Sequence, residues 1–354
     1  DPAAAAAIAL AEAGVLYDAF GSAQGPADND VPDTLAHAER AVELARRTGD
    51  PLAETAALDA VTGAQSWGGD AFGVAATLER RVDLVSPLPE SPQRTLELTD
   101  ALVQAIEAAI GIGDLAGARR WERRLAEHPL LAEVGYRASA WLLVTTALGD
   151  GIADAPAIGD RFIEAWHRAG SPAGTYLGPA VAGAAMMSQL RGDAEGRWDE
   201  VAARIGALPG HEFSYRAIFD GIRLLHTGHP DEAWRRLAPE PRAVWKWVTW
   251  IWLHWYVALR AEAAVLAEAP EAERLVAEAR EFVAGNPTAE ALVERADALR
   301  YNDRDRVLST APAFGAAGNG YQAARTLVLA GGDAAAHGQA ALADLGLTPM
   351  APIA

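Results

Sequence analysis

The chain lacks cysteine altogether and has almost no lysine. Without cysteine, neither a disulfide nor a thiolate metal site can form, and this suits a reducing compartment, so we expect a cytoplasmic protein. Lys246 is the only lysine, and arginine therefore supplies nearly all of the positive charge. An uninterrupted apolar run of about 18 residues, the length that a membrane-spanning helix requires, is also missing. We therefore expect no membrane insertion.

Positive charge is scarce as a whole. The sequence has 30 basic and 48 acidic residues, which gives a formal net charge of −18 and a pI near 4.8. A surface of this sign repels the phosphate backbone of nucleic acids. Direct binding of nucleic acid by this segment is therefore not expected.

Motifs for catalysis and for metal binding are missing too. The sequence contains no G-x-x-x-x-G-K-[ST], no H-E-x-x-H and no G-x-S-x-G, and its eight histidines are scattered singly. We therefore predict a protein that is not an enzyme and that has no metal site and no cofactor. The one catalytic alternative is a glycoside-active α/α-toroid, in which Asp59, Asp100 and Glu107 would flank a glycosidic bond. Such a toroid requires fewer and much longer helical hairpins than this chain offers.

A repeated turn is the most regular feature that is present. Gly-Asp or Gly-His recurs along the chain between an apolar helix and a shorter helix rich in alanine and arginine, as expected for stacked helical pairs. The turns begin at Gly49, Gly69, Gly113, Gly149, Gly192, Gly228 and Gly332. The sequence therefore predicts an all-α fold, a right-handed superhelix of about nine antiparallel helix pairs like that of tetratricopeptide repeats.

A repeat array grows by adding units, so we expect a single array over residues 1–354 despite its length. The proline-rich segment 86–92 (SPLPESP) interrupts the pattern. It is either a joint that divides 1–85 from 93–354 or an ordinary long turn between repeats.

The repeat register assigns residues to packing and to inner positions. With Gly228 as the turn, the small residues Gly221 and Ala233 fall where the two helices of a tetratricopeptide pair approach closely. The first helix of each pair then lines a concave surface. Its predicted inner lining comprises Asp59, Trp67, Asp100, Val103, Glu107, Tyr136, Ser139, Leu143, Met186, Gln189, Tyr215, Ile218, Ile222 and His226.

The seventh pair contains the most distinctive stretch, WKWVTWIWLHWY, which we predict to lie in one continuous helix over about 243–267. At about 100° per residue, both faces of that helix are aromatic, although packing needs only one. The packing face comprises Trp245, Val248, Thr249 and Trp252. The other face comprises Trp250 and His254, with Lys246 beside it and Trp247 at its border. This second face is either a binding surface or is buried by a neighbouring segment, which would make His254 a core histidine.

An exposed Trp–Trp–His surface could stack a sugar ring, a planar ligand or an aromatic side chain of a partner. Together with large residues of the inner lining, it forms our candidate site for a ligand or partner. The candidate binding residues are Tyr136, Met186, Tyr215, Lys246, Trp247, Trp250 and His254.

Two stretches carry a family resemblance. The sequence AERAVELARRTGDPLAETA over 38–56 and the tail over 316–346, with AAGNGYQAART and ALADLG, resemble the tetratricopeptide regions of large actinobacterial regulators of the LuxR or STAND-ATPase type. In that family the helical array lies between a nucleotide-binding module and a DNA-binding helix-turn-helix, and receives an inducer or a regulatory partner. The chain contains neither module and begins at Asp1-Pro2 without an initiator methionine. We therefore expect the middle piece of a longer regulator.

The resemblance implies a non-catalytic sensor that recognises a small-molecule effector, a peptide or a protein partner on its concave face, and that communicates with ATPase and DNA-binding modules of its own. The residues alone leave a second possibility open, a stand-alone scaffold for protein–protein interaction.

Overall fold

The chain is all-helical in the residues that the structure, a computed structural model, describes. These are residues 1–20, 30–127, 135–193, 196–206 and 210–351, with the side chains of 16–20 and 30 excepted. They form 19 α-helices and four short 3-10 helices, and contain no strand. Most helices pack on the next helix along the chain, in consecutive pairs, which confirms the predicted all-α fold. None of the described helices is long and apolar enough to cross a membrane.

The chain divides into two compact units, Asp1–Ile112 with Glu240–Leu253, and Gly113–Pro239 with His254–Ala354. The first unit contains α1 (Pro2–Phe20), α2 (Asp30–Arg46), α3 (Pro51–Trp67), α4 (Ala71–Val85), α5 (Pro92–Gly111), a 3-10 helix (Pro241–Val244) and α13 (Trp245–Val248). Each of α1 to α4 packs on the next helix, and α3 also packs on α1 and α5. This is the nearest-neighbour pattern of a repeat array.

The second unit repeats the same pattern. It contains α6 (Leu115–Ala126), α7 (Tyr136–Leu148), α8 (Ala155–Arg168), α9 (Gly178–Arg191), α10 (Arg197–Ile205), α11 (Tyr215–His226), α12 (Pro230–Leu237), α14 (Leu253–Leu266, of which Leu253 belongs to the first unit), α15 (Ala272–Phe282), α16 (Pro287–Arg300), α17 (Arg304–Ala316), α18 (Gly320–Ala330) and α19 (Gly332–Asp344). Three short 3-10 helices, Ile152–Asp154, Thr175–Leu177 and His211–Phe213, precede α8, α9 and α11. First helices of successive pairs contact one another, as α7 contacts α9 and α9 contacts α11.

The recurrent turns explain why the helices end where they do. Gly69 and Gly113 adopt φ of +79° and +77°, a left-handed conformation that is costly for other residues. The aspartate that follows caps the next helix, since Asp70 accepts a hydrogen bond from Gly73 N and Asp114 accepts one from Gly117 N, both at 2.8 Å. One dipeptide therefore both stops a helix and starts the next.

The proline-rich segment 86–92 lies within the first unit. Ser91 Oγ accepts a hydrogen bond from Arg94 N and caps α5, while Arg94 Nη2 donates to the Ser86 carbonyl. These bonds connect the ends of two helices, α4 and α5, that pack on each other. The single array, the joint at 86–92 and the hand of the superhelix stay predictions.

One predicted helix is wrong. Instead of a continuous helix over about 243–267, the structure has a 3-10 turn, the short α13, a non-helical turn over 249–252, and then α14. Tryptophan and threonine favour helices only weakly. Trp245 and Thr249 also direct their side-chain donors to backbone carbonyls outside the segment. The assumed 100° spacing therefore does not relate Trp250 to His254.

Candidate functional site

The tryptophan-rich segment 240–253 is anchored to the end of α3 in the first unit. Trp245 Nε1 donates to the Trp67 carbonyl at 2.7 Å, and Thr249 Oγ1 donates to the Ser66 carbonyl. The last carbonyls of a helix have no donor within the helix itself. Trp245 therefore supplies a donor to the Trp67 carbonyl, and Thr249 adds a second donor to the Ser66 carbonyl, which also accepts from Gly69 N at 2.9 Å.

Trp250 contacts a carboxylate in the same unit. Its indole Nε1 donates to Glu107 Oε2 at 2.5 Å. Burial raises the pKa of Glu107 to about 7; the indole hydrogen bond opposes this shift and the nearby Asp100 adds to it. The Trp250 indole N–H is thus used in a hydrogen bond within the first unit.

A buried arginine gathers the acidic residues of α3 and α5. Arg81, on α4, is only 1% exposed in its side chain, and its guanidinium lies 2.6 Å from Asp59 Oδ1 and 3.0 Å from Asp100 Oδ2. Glu97 lies 3.6 Å from the same guanidinium. Gln104 Nε2 donates to both aspartates, at 3.1 and 2.9 Å. The carboxylates are thus counter-ions of one buried cation.

This cluster bears on the glycosidase alternative. Because Asp59 and Asp100 share the Gln104 donor, their bonded carboxylate oxygens lie no more than about 6 Å apart, which does not exceed the range of roughly 5–10 Å for paired glycosidase acids. Both are nevertheless committed to Arg81. A general acid must instead hold a proton beside the substrate, and the pairing with Arg81 works against that role.

His254 follows the second of the two interpretations drawn from the sequence. It is 4% exposed, so its expected place on an open binding face is wrong. Its Nδ1 lies 3.2 Å from Asn286 Nδ2, and Asn286 Oδ1 accepts from Ala289 N to cap α16. Burial lowers the pKa of His254 to about 4, which keeps the ring neutral. Packing in the second unit makes His254 a core histidine.

Lys246 and Trp247 remain accessible in part, and the Lys246 ammonium lies 5.4 Å from the Trp247 ring centroid as a cation–π pair. Their assignment as ligand contacts stays a prediction.

The three remaining candidate residues are buried as well. Tyr136 exchanges a hydrogen bond with Tyr176 through their hydroxyls at 3.1 Å. Met186 and Tyr215 line a cavity of about 210 Å³ between α9, α10 and α11. Of these three residues, which the sequence predicts at one site, Met186 and Tyr215 line the same cavity, whereas Tyr136 is not part of its lining.

Much of the expected inner lining is core instead. The first helices of neighbouring pairs pack against each other through these positions, which leaves little of their surface open. Besides Tyr136, Met186 and Tyr215, the buried members are Trp67, Leu143, Ile218, Ile222 and His226.

A larger cavity, of about 910 Å³, lies in the second unit between α6, α7 and α8. Pockets for small organic molecules typically measure about 300–1,000 Å³ and combine apolar walls with a few convergent polar groups. The lining residues are Ala116, Arg119, Glu122, Arg123, Ala126, Gly135, Ala138, Ser139, Leu142, Thr146, Asp150, Gly151, Asp154, Ala157, Ile158 and Arg161. Each helix contributes residues three or four apart, so that one face of each forms a wall.

Glu122 is the buried polar group of this cavity. It is 4% exposed, and its Oε1 accepts a hydrogen bond from Thr145 Oγ1. Its Oε2 is buried and has no hydrogen-bond partner among the described residues. Burial raises the pKa of Glu122 to about 7, opposed by the Thr145 hydrogen bond and by the charge of Arg119. Leaving such an acceptor unmatched costs about 1–3 kcal/mol, and a suitable donor from a ligand would relieve that cost.

Arginines surround the cavity. Arg119 Nη2 donates to the Asp150 carbonyl, and Asp150 Oδ1 accepts from Gly320 N at 2.6 Å. Arg123 on α6 and Arg161 on α8 are exposed and form no hydrogen bond or ion pair within the described part of the chain. Their guanidiniums are therefore available to an anionic group.

The sequence did carry a signal for this site, and it was missed. Leu115, Ala118, Glu122 and Leu125 follow one another at spacings of three and four residues, so that Glu122 lies on the apolar face of α6. A charged residue on such a face is seldom buried without a reason. Ser139, which we expected on the inner surface, does line the cavity.

Among the described residues, no group of three or more His, Asp or Glu side chains is placed to hold a metal ion. Comparison with known proteins finds no family model that matches the chain and no curated protein with significant similarity to it.

Proposed function

We propose that this chain is a non-catalytic sensor module, a helical repeat array that binds a small organic effector in the cavity between α6, α7 and α8. The observation that carries the proposal is Glu122, a lining residue of the 910 Å³ cavity whose buried Oε2 lacks a partner among the described residues. Core carboxylates are ordinarily paired. An acceptor that stays unmatched beside a ligand-sized space favours a missing donor from a ligand.

The resemblance of 38–56 and 316–346 to the repeat regions of LuxR- and STAND-type regulators supports a place for this sensor in transcriptional control in the cytoplasm. In such a regulator, the repeat array would respond to the effector by a shift between conformations and pass it to the nucleotide-binding module. A ligand seated among α6, α7 and α8 would bias how these three helices pack. That bias is the proposed signal.

A thermal-shift screen of a library of small polar organic molecules tests the proposal. We expect some of them to raise the unfolding temperature of the chain, because a ligand that binds only the folded state stabilises it. Ser139→Trp, which fills the cavity from α7, should abolish these shifts. Ala340→Trp, at an exposed position on α19 that does not line the cavity, should leave them unchanged.

Shifts that survive in the Ser139→Trp protein would contradict binding in this cavity. If no compound stabilises the chain while a protein partner does, the alternative of a pure interaction scaffold is favoured instead.

A further inference from the structure

We propose that the effector is a zwitterion, an organic molecule whose protonated amine pairs with Glu122 and whose carboxylate pairs with Arg123 and Arg161, with an apolar body between them. The inference rests on the proposed function of the cavity and adds the chemical class of its ligand.

The amine is inferred from the environment of Glu122. Its Oε1 already accepts from Thr145, whereas Oε2 has no donor in the described chain. An ammonium group supplies a charge-assisted hydrogen bond, which is roughly twice as strong as a neutral one. It also offsets the cost of burying the ionised carboxylate.

The carboxylate is inferred from the two exposed arginines. Arg123 and Arg161 extend from α6 and α8, the helices on either side of the cavity, and neither has an acidic partner in the described part of the chain. Guanidinium groups bind carboxylates through two parallel N–H donors. Two such groups from facing helices favour one shared anion.

The opposite charges exclude simpler ligands. A purely cationic molecule would meet Arg119, Arg123 and Arg161, and a purely anionic one would meet Glu122 and Asp154. Only a molecule that carries both signs satisfies both groups of residues at once.

The lining of the cavity indicates the chemical character and the length of the ligand's middle part. Leu142, Ile158 and several alanines supply the apolar part of the lining, beside the charged groups. Along α6 the lining extends from Ala116 to Ala126, which is about 15 Å at 1.5 Å per residue. A chain of several carbon atoms between amine and carboxylate fits within that length.

Isothermal titration calorimetry at pH 7 with three matched probes tests the inference. The probes are 8-aminooctanoate, octanoate, which lacks the amine, and octylamine, which lacks the carboxylate. We expect 8-aminooctanoate to bind at least tenfold more tightly than either of the others, because each charged group makes its own contact. Shorter and longer ω-amino acids then give the preferred separation of the two groups.

Two variants assign the contacts. Glu122→Gln keeps the shape and the acceptor for Thr145 but removes the charge, and should make 8-aminooctanoate and octanoate bind alike. The double variant Arg123→Ala/Arg161→Ala should remove the preference over octylamine. Arg120→Ala, an exposed arginine of α6 that does not line the cavity, is the matched control and should change neither preference.

The inference is overturned if 8-aminooctanoate binds no more tightly than the tighter-binding of the two single-charge probes. It is also overturned if no ω-amino acid of the series shows a binding heat at concentrations up to about 10 mM. The library screen separates this failure from that of the proposed function. Compounds that stabilise the native chain but not Ser139→Trp would leave the cavity a binding site for another chemistry, whereas a blank screen would remove both proposals.

Discussion

A single buried polar residue can connect several elements of this structure, as Asn286 does. Asn286 is fully buried and has two tasks, capping α16 through Oδ1 and contacting His254 through Nδ2. It also restricts its neighbour, because a Cβ at Gly113 would lie 2.3 Å from Asn286 Oδ1. One side chain thus links a helix start, a histidine and a turn.

Asn286→Ala should lower the free energy of unfolding by about 1–3 kcal/mol, since it removes the cap and leaves a buried imidazole nitrogen without its amide contact. Urea unfolding of the full chain measures the change. Asn286→Ser keeps a neutral capping oxygen but loses the amide donor, so its cost should be smaller than that of Asn286→Ala. Equal costs for the two variants would show that the cap contributes little.

At the scale of the elements, side-chain donors at helix ends matter more than periodicity. The anchoring of 240–253 to α3 depends on Trp245, whose indole reaches the Trp67 carbonyl. The fit is close, because a Cβ at Gly69 would lie 3.0 Å from the Trp245 ring. The segment is therefore held by a hydrogen bond and by shape together.

Trp245→Phe should destabilise the first unit by roughly 1–3 kcal/mol, because the aromatic body is largely kept while a buried carbonyl loses its donor. Trp247→Phe, on the partly exposed neighbour, is the control and should cost less than about 0.5 kcal/mol. Near-ultraviolet circular dichroism during urea unfolding follows both. A loss no greater for Trp245→Phe than for Trp247→Phe would contradict the anchoring role.

The same contrast explains how far the sequence could be read. The glycine–aspartate turns are local signals, since left-handed φ and helix capping depend on adjacent residues, and they predicted the helical pairs well. The break at 249–252 depends on bonds to α3, nearly two hundred residues away in the chain, which hydrophobic spacing cannot reveal. The burial of Tyr136 was missed for a similar reason, and the same limit left the sequence unable to choose between the two interpretations of His254.

At the scale of the whole molecule, two buried glutamates and two buried histidines change the stability of the fold with pH in opposite directions. Burial raises the pKa of Glu107 and Glu122 to about 7, so their contribution to stability is full below pH 4.5 and is lost as the pH rises to about 7. Burial lowers the pKa of His226 and His254 to about 4, so their contribution is present above pH 6.5 and is lost as the pH falls toward 4. Between about pH 4.5 and 6.5 the two pairs nearly cancel.

The double variant Glu107→Gln/Glu122→Gln should expose this balance. Its free energy of unfolding relative to the native chain should rise between pH 4.5 and 7 and then level off. The Glu122 substitution should account for up to about 3 kcal/mol of this rise, since each pKa unit corresponds to about 1.4 kcal/mol. Urea titrations across this pH range measure the difference. A difference that stays flat across this pH range for the double variant would refute the balance.

The discontinuous make-up of the first unit has a consequence for synthesis. Most of that unit is complete at Ile112, yet its segment 240–253 emerges more than a hundred residues later. At about 5–20 residues per second, the ribosome needs on the order of ten seconds to cover that interval. During that interval, the carbonyls of Ser66 and Trp67 at the end of α3 lack the hydrogen bonds from Thr249 and Trp245. The nascent chain therefore passes through an intermediate in which the first unit still lacks its segment 240–253. A product truncated or stalled before that segment would remain in this state.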